Sequence, residues 1–214
     1  MSNRMHIVAA VVVTIALSAQ KSIAQDDVAW SASYRGGSIT FSVEASKTLL
    51  EPNRSAGRPT LAVTLPGELF DAPQAIERVA KEQADDRTPL GALQSDWSAQ
   101  MSDDEAWVLG NFAAADRPQV RKWLADAEMR RANLRIVRQR GGPRVLGWAR
   151  CNGALLVILE YADGSRLPAT LIREQGRWKR TNALSAERTF DIVFAAVRER
   201  GTLTRTAPGK TGKK

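Results

Sequence analysis

Histidine occurs once, as His6, cysteine once, as Cys151, and tyrosine twice, as Tyr34 and Tyr161, in a chain of 214 residues. These shortages exclude most familiar reacting centres. A Ser-His-Asp triad, a Cys-His pair and the common zinc sites depend on an imidazole, and His6 falls in a segment that reads as a removable leader. One cysteine closes no internal bridge, which suits a bacterial periplasm better than a disulfide-forming secretory lineage. Cys151 itself reads as a small buried hydrophobe. Nor is there a long apolar run: the longest, residues 7–19, is too short to cross roughly 30 Å of hydrocarbon. The tail sequence Gly209-Lys210-Thr211 invites comparison with a phosphate loop, but that motif needs glycine where Thr204 stands.

What is present begins with an export signal. Arg4 supplies a positive n-region, residues 7–19 an apolar h-region, and Ser22-Ile23-Ala24 small residues around a cleavage point. The expectation is a periplasmic or secreted protein, cleaved near Ala24, with no transmembrane span afterwards; the alternative is an uncleaved anchor. The net charge of +8 falls to +6 without Arg4 and Lys21, and to +2 without Arg205, Lys210, Lys213 and Lys214. The basic excess is therefore peripheral. Residues 201–214 carry almost no large apolar groups and read as a disordered basic tail.

Between these ends, turn signals recur at Gly141-Gly142-Pro143, Asn152-Gly153, Asp163-Gly164 and Gln175-Gly176. They separate segments rich in Val, Ile, Leu and Trp, so residues 134–181 read as five consecutive antiparallel strands. Leu155, Val157, Leu159 and Tyr161 alternate with Leu156, Ile158 and Glu160, apolar on both faces, as expected of a central strand. Upstream, helix starts are marked by Asp71 before Pro73, Thr88 before Pro89, and the capping-box form Ser102-Asp103-Asp104-Glu105. Three stripes follow at helical spacing: Ile76, Val79 and Ala80; Leu90, Leu93 and Trp97; Val120, Trp123, Leu124 and Ala127. Phe190, Val193, Phe194 and Val197 repeat the pattern, with Gly201 placed to stop that helix. Residues 28–34, 38–44 and 61–65 read as strands, with a polar linker over 51–59.

Thr88-Pro89 with Ala92, Ser95 and Ala99, then Asp103-Asp104, Trp107 and Phe112, resembles the opening helices of exported NTF2-like proteins. Residues 155–161, Asp163-Gly164, residues 167–172, Gly176-Arg177-Trp178 and Thr181-Asn182 resemble their closing hairpin. The resemblance covers about residues 87–184. It implies an α+β fold in which helices pack on a curved antiparallel β-meander to form a cone. The expected domains are a leader (1–24), an N-terminal β-hairpin extension or edge hairpin with a first helix (25–86), an NTF2-like domain (87–200) and the tail. Self-association into a homodimer is common in that superfamily, though no residue pattern here marks an interface.

The superfamily includes isomerases, dehydratases and non-catalytic modules, and fold analogy does not choose among them. Its catalytic members use a pocket histidine or an Asp-Tyr pair, and neither can be placed on this chain. The remaining catalytic candidate is Glu160, where burial would raise the pKa; an ion pair with Arg150 or Arg173 is the structural alternative. Trp97, Trp107, Trp123, Trp148 and Tyr161 are candidates to line a ligand pocket, or else core. Arg130, Arg131, Arg135, Arg138, Arg140 and Arg144 form a dense basic cluster over a helix end and the first hairpin, with Arg138 and Arg140 on one strand face. The acidic runs 85–86 and 103–105 read as helix ends and caps rather than cation sites. The leading expectation is a non-catalytic module binding a small ligand or an envelope protein, without cofactor, metal or nucleic acid. The alternatives are a cofactor-free isomerase or lyase using a buried carboxylate, and an envelope factor holding an anionic polymer or lipid through the arginines.

Overall fold

The computed structural model describes residues 13–14, 34, 36–44, 60–199 and 201–207. The predicted leader cleavage at Ala24, the strand at 28–33, the linker at 51–59 and the end of the tail lie outside them. The fold is α+β. A seven-stranded antiparallel sheet in the order β7-β6-β5-β4-β3-β2-β8 is packed with five helices. Its strands are β2 (Ser38–Glu44), β3 (Thr60–Ala75), β4 (Arg144–Cys151), β5 (Ala154–Glu160), β6 (Arg166–Glu174), β7 (Arg177–Arg180) and β8 (Thr202–Thr206). A two-residue piece, β1 (Val13–Thr14), pairs in parallel with Leu61 and Ala62 of β3. The helices are α1 (Pro89–Ser102), α2 (Glu105–Gly110), α3 (Arg117–Ala125), α4 (Ala127–Arg140) and α5 (Arg188–Arg198).

β5 is central and buried over its whole length, as its two-faced apolar pattern predicts. Leu155, Val157 and Leu159 join Trp148 and Leu171 under Leu93 and Trp97 of α1. Leu156 and Ile158 point the other way and join Ile39, Phe41 and Val63 under Ile192, Val193, Ala196 and Val197 of α5. Each such aliphatic side chain contributes about 1.5–3 kcal/mol by leaving water. A third cluster, Ala99, Val108, Val120 and Leu124, holds the helices to one another. The β4–β5 turn takes its form from Asn152 (φ 45°) and Gly153 (φ 82°), two successive left-handed residues of a tight hairpin.

Several elements differ from the sequence-based expectations. The first helix predicted after Asp71 is absent: Gln74 and Ala75 pair with Val145 and Arg144, and Ile76 donates its N–H to the Pro143 carbonyl (3.0 Å). Pro73 lies where the β3–β4 register shifts, so its missing N–H costs the ladder nothing. Residues 134–140 are helix rather than a fifth meander strand, and Gly141 (φ 71°) joins α4 to β4 instead of turning a hairpin. Arg138 and Arg140 therefore share no strand face. The cap of α2 is Asp104, whose Oδ1 accepts the Trp107 N–H (2.9 Å); Ser102 instead ends α1 and bonds the Ala99 carbonyl (2.9 Å).

β2, predicted as part of an extension or edge hairpin, is not an edge strand. β8 covers the outer side of β2, with Thr202–Thr206 running against Ser42–Ser38, where composition alone predicted a disordered tail. An unpaired strand edge supplies backbone partners that propensity does not anticipate. β3 ties the halves of the sheet together, pairing with β2 through residues 60–66 and with β4 from Gly67 onward. Gly67 is required at that junction, because a Cβ there would lie 2.8 Å from Ala149 Cα.

Candidate functional site

At one end of the sheet, the α4–β4 joint meets the β5–β6 turn. The Asp163 N–H bonds the Arg140 carbonyl (3.1 Å), and Asp163 Oδ1 accepts from the Ser165 N–H (2.8 Å) and hydroxyl (2.6 Å). This fixes an open cleft of about 420 Å³, lined by Gly142, Arg144, Glu160, Tyr161, Ala162, Gly164 and Arg166. Because Arg144, Glu160 and Arg166 are cross-strand neighbours in β4, β5 and β6, the pleat brings all three side chains to the same place.

Arg144 Nε donates to Glu160 Oε2 at 2.8 Å, joined there by its Nη2, while Arg166 Nε donates to Oε1 at 2.9 Å. Glu160 thus ion-pairs with Arg144 and Arg166, not with the Arg150 or Arg173 expected from sequence. Burial pushes its carboxyl upward, but the two guanidinium groups outweigh this and hold it below the usual carboxylate range. A carboxylate already accepting from two cations is a poor proton acceptor at neutral pH. Two cations to one anion leave the three side chains with one net positive charge, and each guanidinium keeps N–H groups beyond those Glu160 occupies. Tyr161 forms the inner wall. Its ring lies 6.2 Å from that of Trp97 and carries the Arg140 guanidinium 5.5 Å from its centre. Burial raises the Tyr161 phenol, opposed by Arg180 and assisted by Asp96.

Of the aromatic pocket candidates, Tyr161 alone lines this cleft. Trp97 and Trp148 are core, at 7% and 1% exposure. Trp107 Nε1 bonds Ser95 Oγ (2.9 Å), and Trp123 borders a hole of about 10 Å³, room for one water at most. The arginine cluster is dispersed in role. Arg130 pairs with Asp103 and Glu105, Arg144 with Glu160, and Arg140 with the Tyr161 ring. Arg131, Arg135 and Arg138 stand exposed on α4 with no ion pair among the described residues.

Sequence reading misjudged one polar group and passed over another. Asp86 is no solvated helix end: it is 9% exposed and receives Arg177 Nη1 (2.7 Å) and Lys179 Nζ (2.6 Å) from β7. Asp96, on the buried side of α1, takes Arg180 Nη1 (3.0 Å) and Gln100 Nε2 (3.0 Å), while Asp96 Oδ1, Arg180 Nε and Asn111 Nδ2 have no partner among the described residues. The one available sequence signal for Asp96 was a charge on an otherwise small and apolar helix face. Cys151 is buried, its thiol pushed up to about 11 by burial and by the Glu187 charge. Among the described residues no cluster of three His, Cys, Asp or Glu is placed to hold a metal ion, and no helix is long and apolar enough to cross a membrane.

Comparison of the chain with family models, with curated proteins and with solved structures finds no match.

Proposed function

We propose that the chain is a non-catalytic binding module of the NTF2-like type, working in the bacterial envelope, whose ligand is a small molecule bearing a carboxylate or phosphate. The observation that carries this reading is the cleft in which Arg144 and Arg166 converge on the single carboxylate of Glu160. Guanidinium forks fixed by one anion are oriented in advance for a second, so little rotamer entropy is lost on binding. Support for the NTF2-like type comes from helices α1 to α4 leading into the β4–β7 meander. A departure is α5, which covers the opposite face of the sheet. The envelope setting rests on the leader-like composition of residues 1–24. Catalysis by Glu160 is not favoured, because its two oxygens are already engaged by cations.

Two measurements test this reading. A native mass spectrum of protein purified from its own host should show a non-covalent anionic adduct. Thermal melts with glucuronate and with glucose 6-phosphate should then show which anionic group stabilises the fold. A ligand at a hundred times its Kd raises stability by about 2.7 kcal/mol. Arg166→Gln should abolish the ligand-dependent part of that shift. A bare mass together with unmoved melts would sink the reading.

A further inference from the structure

Three buried polar atoms are left over from an otherwise complete ring of contacts between the helices and the last strand of the meander. Ser95 and Asp96 are consecutive on α1. Ser95 Oγ donates to Asn111 Oδ1 (2.7 Å), the Asn111 carbonyl accepts the Arg180 N–H (2.8 Å), and Arg180 Nη1 returns to Asp96 Oδ2 (3.0 Å). The ring therefore joins α1, the residue that caps the end of α2 and the last residue of β7. Ser95, Asp96 and Asn111 are 3%, 3% and 6% exposed. Asp96 Oδ1, Asn111 Nδ2 and Arg180 Nε all belong to members of this ring, are sealed from solvent, and have no partner among the described residues.

The orientation of the Asn111 amide follows from its neighbour. Ser95 Oγ already accepts the Trp107 indole N–H (2.9 Å), so its own hydrogen needs an acceptor; Oδ1 supplies it and Nδ2 is the group left over. The leftover set is thus one acceptor and two donors, while Asp96 and Arg180 cancel each other's charge. An anion would face the Asp96 carboxylate, and a cation would face the Arg180 and Asn111 N–H groups. A neutral molecule that both gives and takes hydrogen bonds fits, and water is the one small enough for a position closed on all sides. Buried polar groups are costly to leave unpaired, and a buried water makes about three hydrogen bonds to such groups.

We propose that one ordered water molecule is bound inside this ring as a constant part of the fold, donating to Asp96 Oδ1 and accepting from Asn111 Nδ2 and Arg180 Nε. It completes the polar join between α1, α2 and β7. Asp96 and Arg180 act in opposite directions on the Tyr161 phenol, so the same water steadies the charge pair behind the inner wall of the cleft.

The test is a crystal structure of the full chain at a resolution that shows water, joined to magnetic relaxation dispersion of water in solution. A single round peak is expected at about 2.7–3.2 Å from all three atoms, together with a water whose residence time far exceeds that of surface hydration. Arg180→Lys keeps a cation for Asp96 but removes Nε, and it should shorten that residence time about fivefold, the worth of one hydrogen bond. If this variant does not fold, as its melting curve will show, the wild-type crystal structure decides alone. Direct closure of Arg180 Nε onto Asp96 Oδ1 with no peak between the three atoms would overturn the proposal. So would density longer than one atom, which means an organic ligand, or a residence time unmoved in folded Arg180→Lys. Arg166→Gln, which alters the cleft, should leave the peak and the residence time unchanged, so failure of the ligand reading and failure of this one are separable.

Discussion

Glu160 shows how one side chain changes meaning once its neighbours are known. Read alone, a glutamate on a central strand suggests a raised pKa and acid–base work. Beside Arg144 and Arg166 it becomes a fixed anion whose folded-state pKa is depressed. A depressed carboxylate contributes stability that is fully present above the ordinary carboxylate range and is lost as pH falls through its lowered folded value. Glu160→Gln should therefore flatten the acid side of the stability profile. Near neutral pH it should cost about 1–3 kcal/mol, because two guanidinium groups then face each other without their shared anion, and one of them meets an amide NH2 in place of an acceptor oxygen. Urea denaturation at a series of pH values checks both expectations. Cys151 offers a second check: its buried, up-shifted thiol should resist an aromatic disulfide reagent in the native protein and react once urea unfolds the chain.

Among the elements, α1 has a start set by local chemistry. Thr88 Oγ1 accepts the Gly91 N–H at 3.1 Å and Pro89 occupies the first turn. Thr88→Ala should cost about 1 kcal/mol, or roughly 2–4 °C in melting temperature for a domain of this size, measurable by calorimetry. Thr88-Pro89, the two-faced β5 and the Asn152-Gly153 turn could all be read from sequence because each is specified by residues within one or two turns of itself. The stretch after Asp71 could not, since its fate is decided by β4 some seventy positions later, and a proline that ordinarily opens a helix sits harmlessly in a register shift. The cleft was legible only in part. Glu160 and Tyr161 were marked by alternation and Arg144 by charge density, but Arg166 was passed over because nothing local announces which strands will be neighbours.

For the whole molecule, the decisive contact is between two strands far apart in sequence, β2 and β8. β8 closes the outer side of β2, so a chain ending at Glu199 should present Ser38–Glu44 as an open edge. Such a truncation should scatter more light at a given concentration than the full chain, while α5 still covers its face of the sheet. Unchanged scattering would mean that the edge is protected in some other way. The same pairing has a bearing on timing. Ser38 finds its outer partner in Thr206, near the far end of the sequence, and β3 must wait for β4 before either half of the sheet has its common strand. Contacts so distant along the chain form slowly, and a ribosome adds only about 5–20 residues each second. A nascent chain of this kind leaves the outer side of Ser38–Ser42 bare for many seconds, until Thr202–Thr206 has been made and can close it.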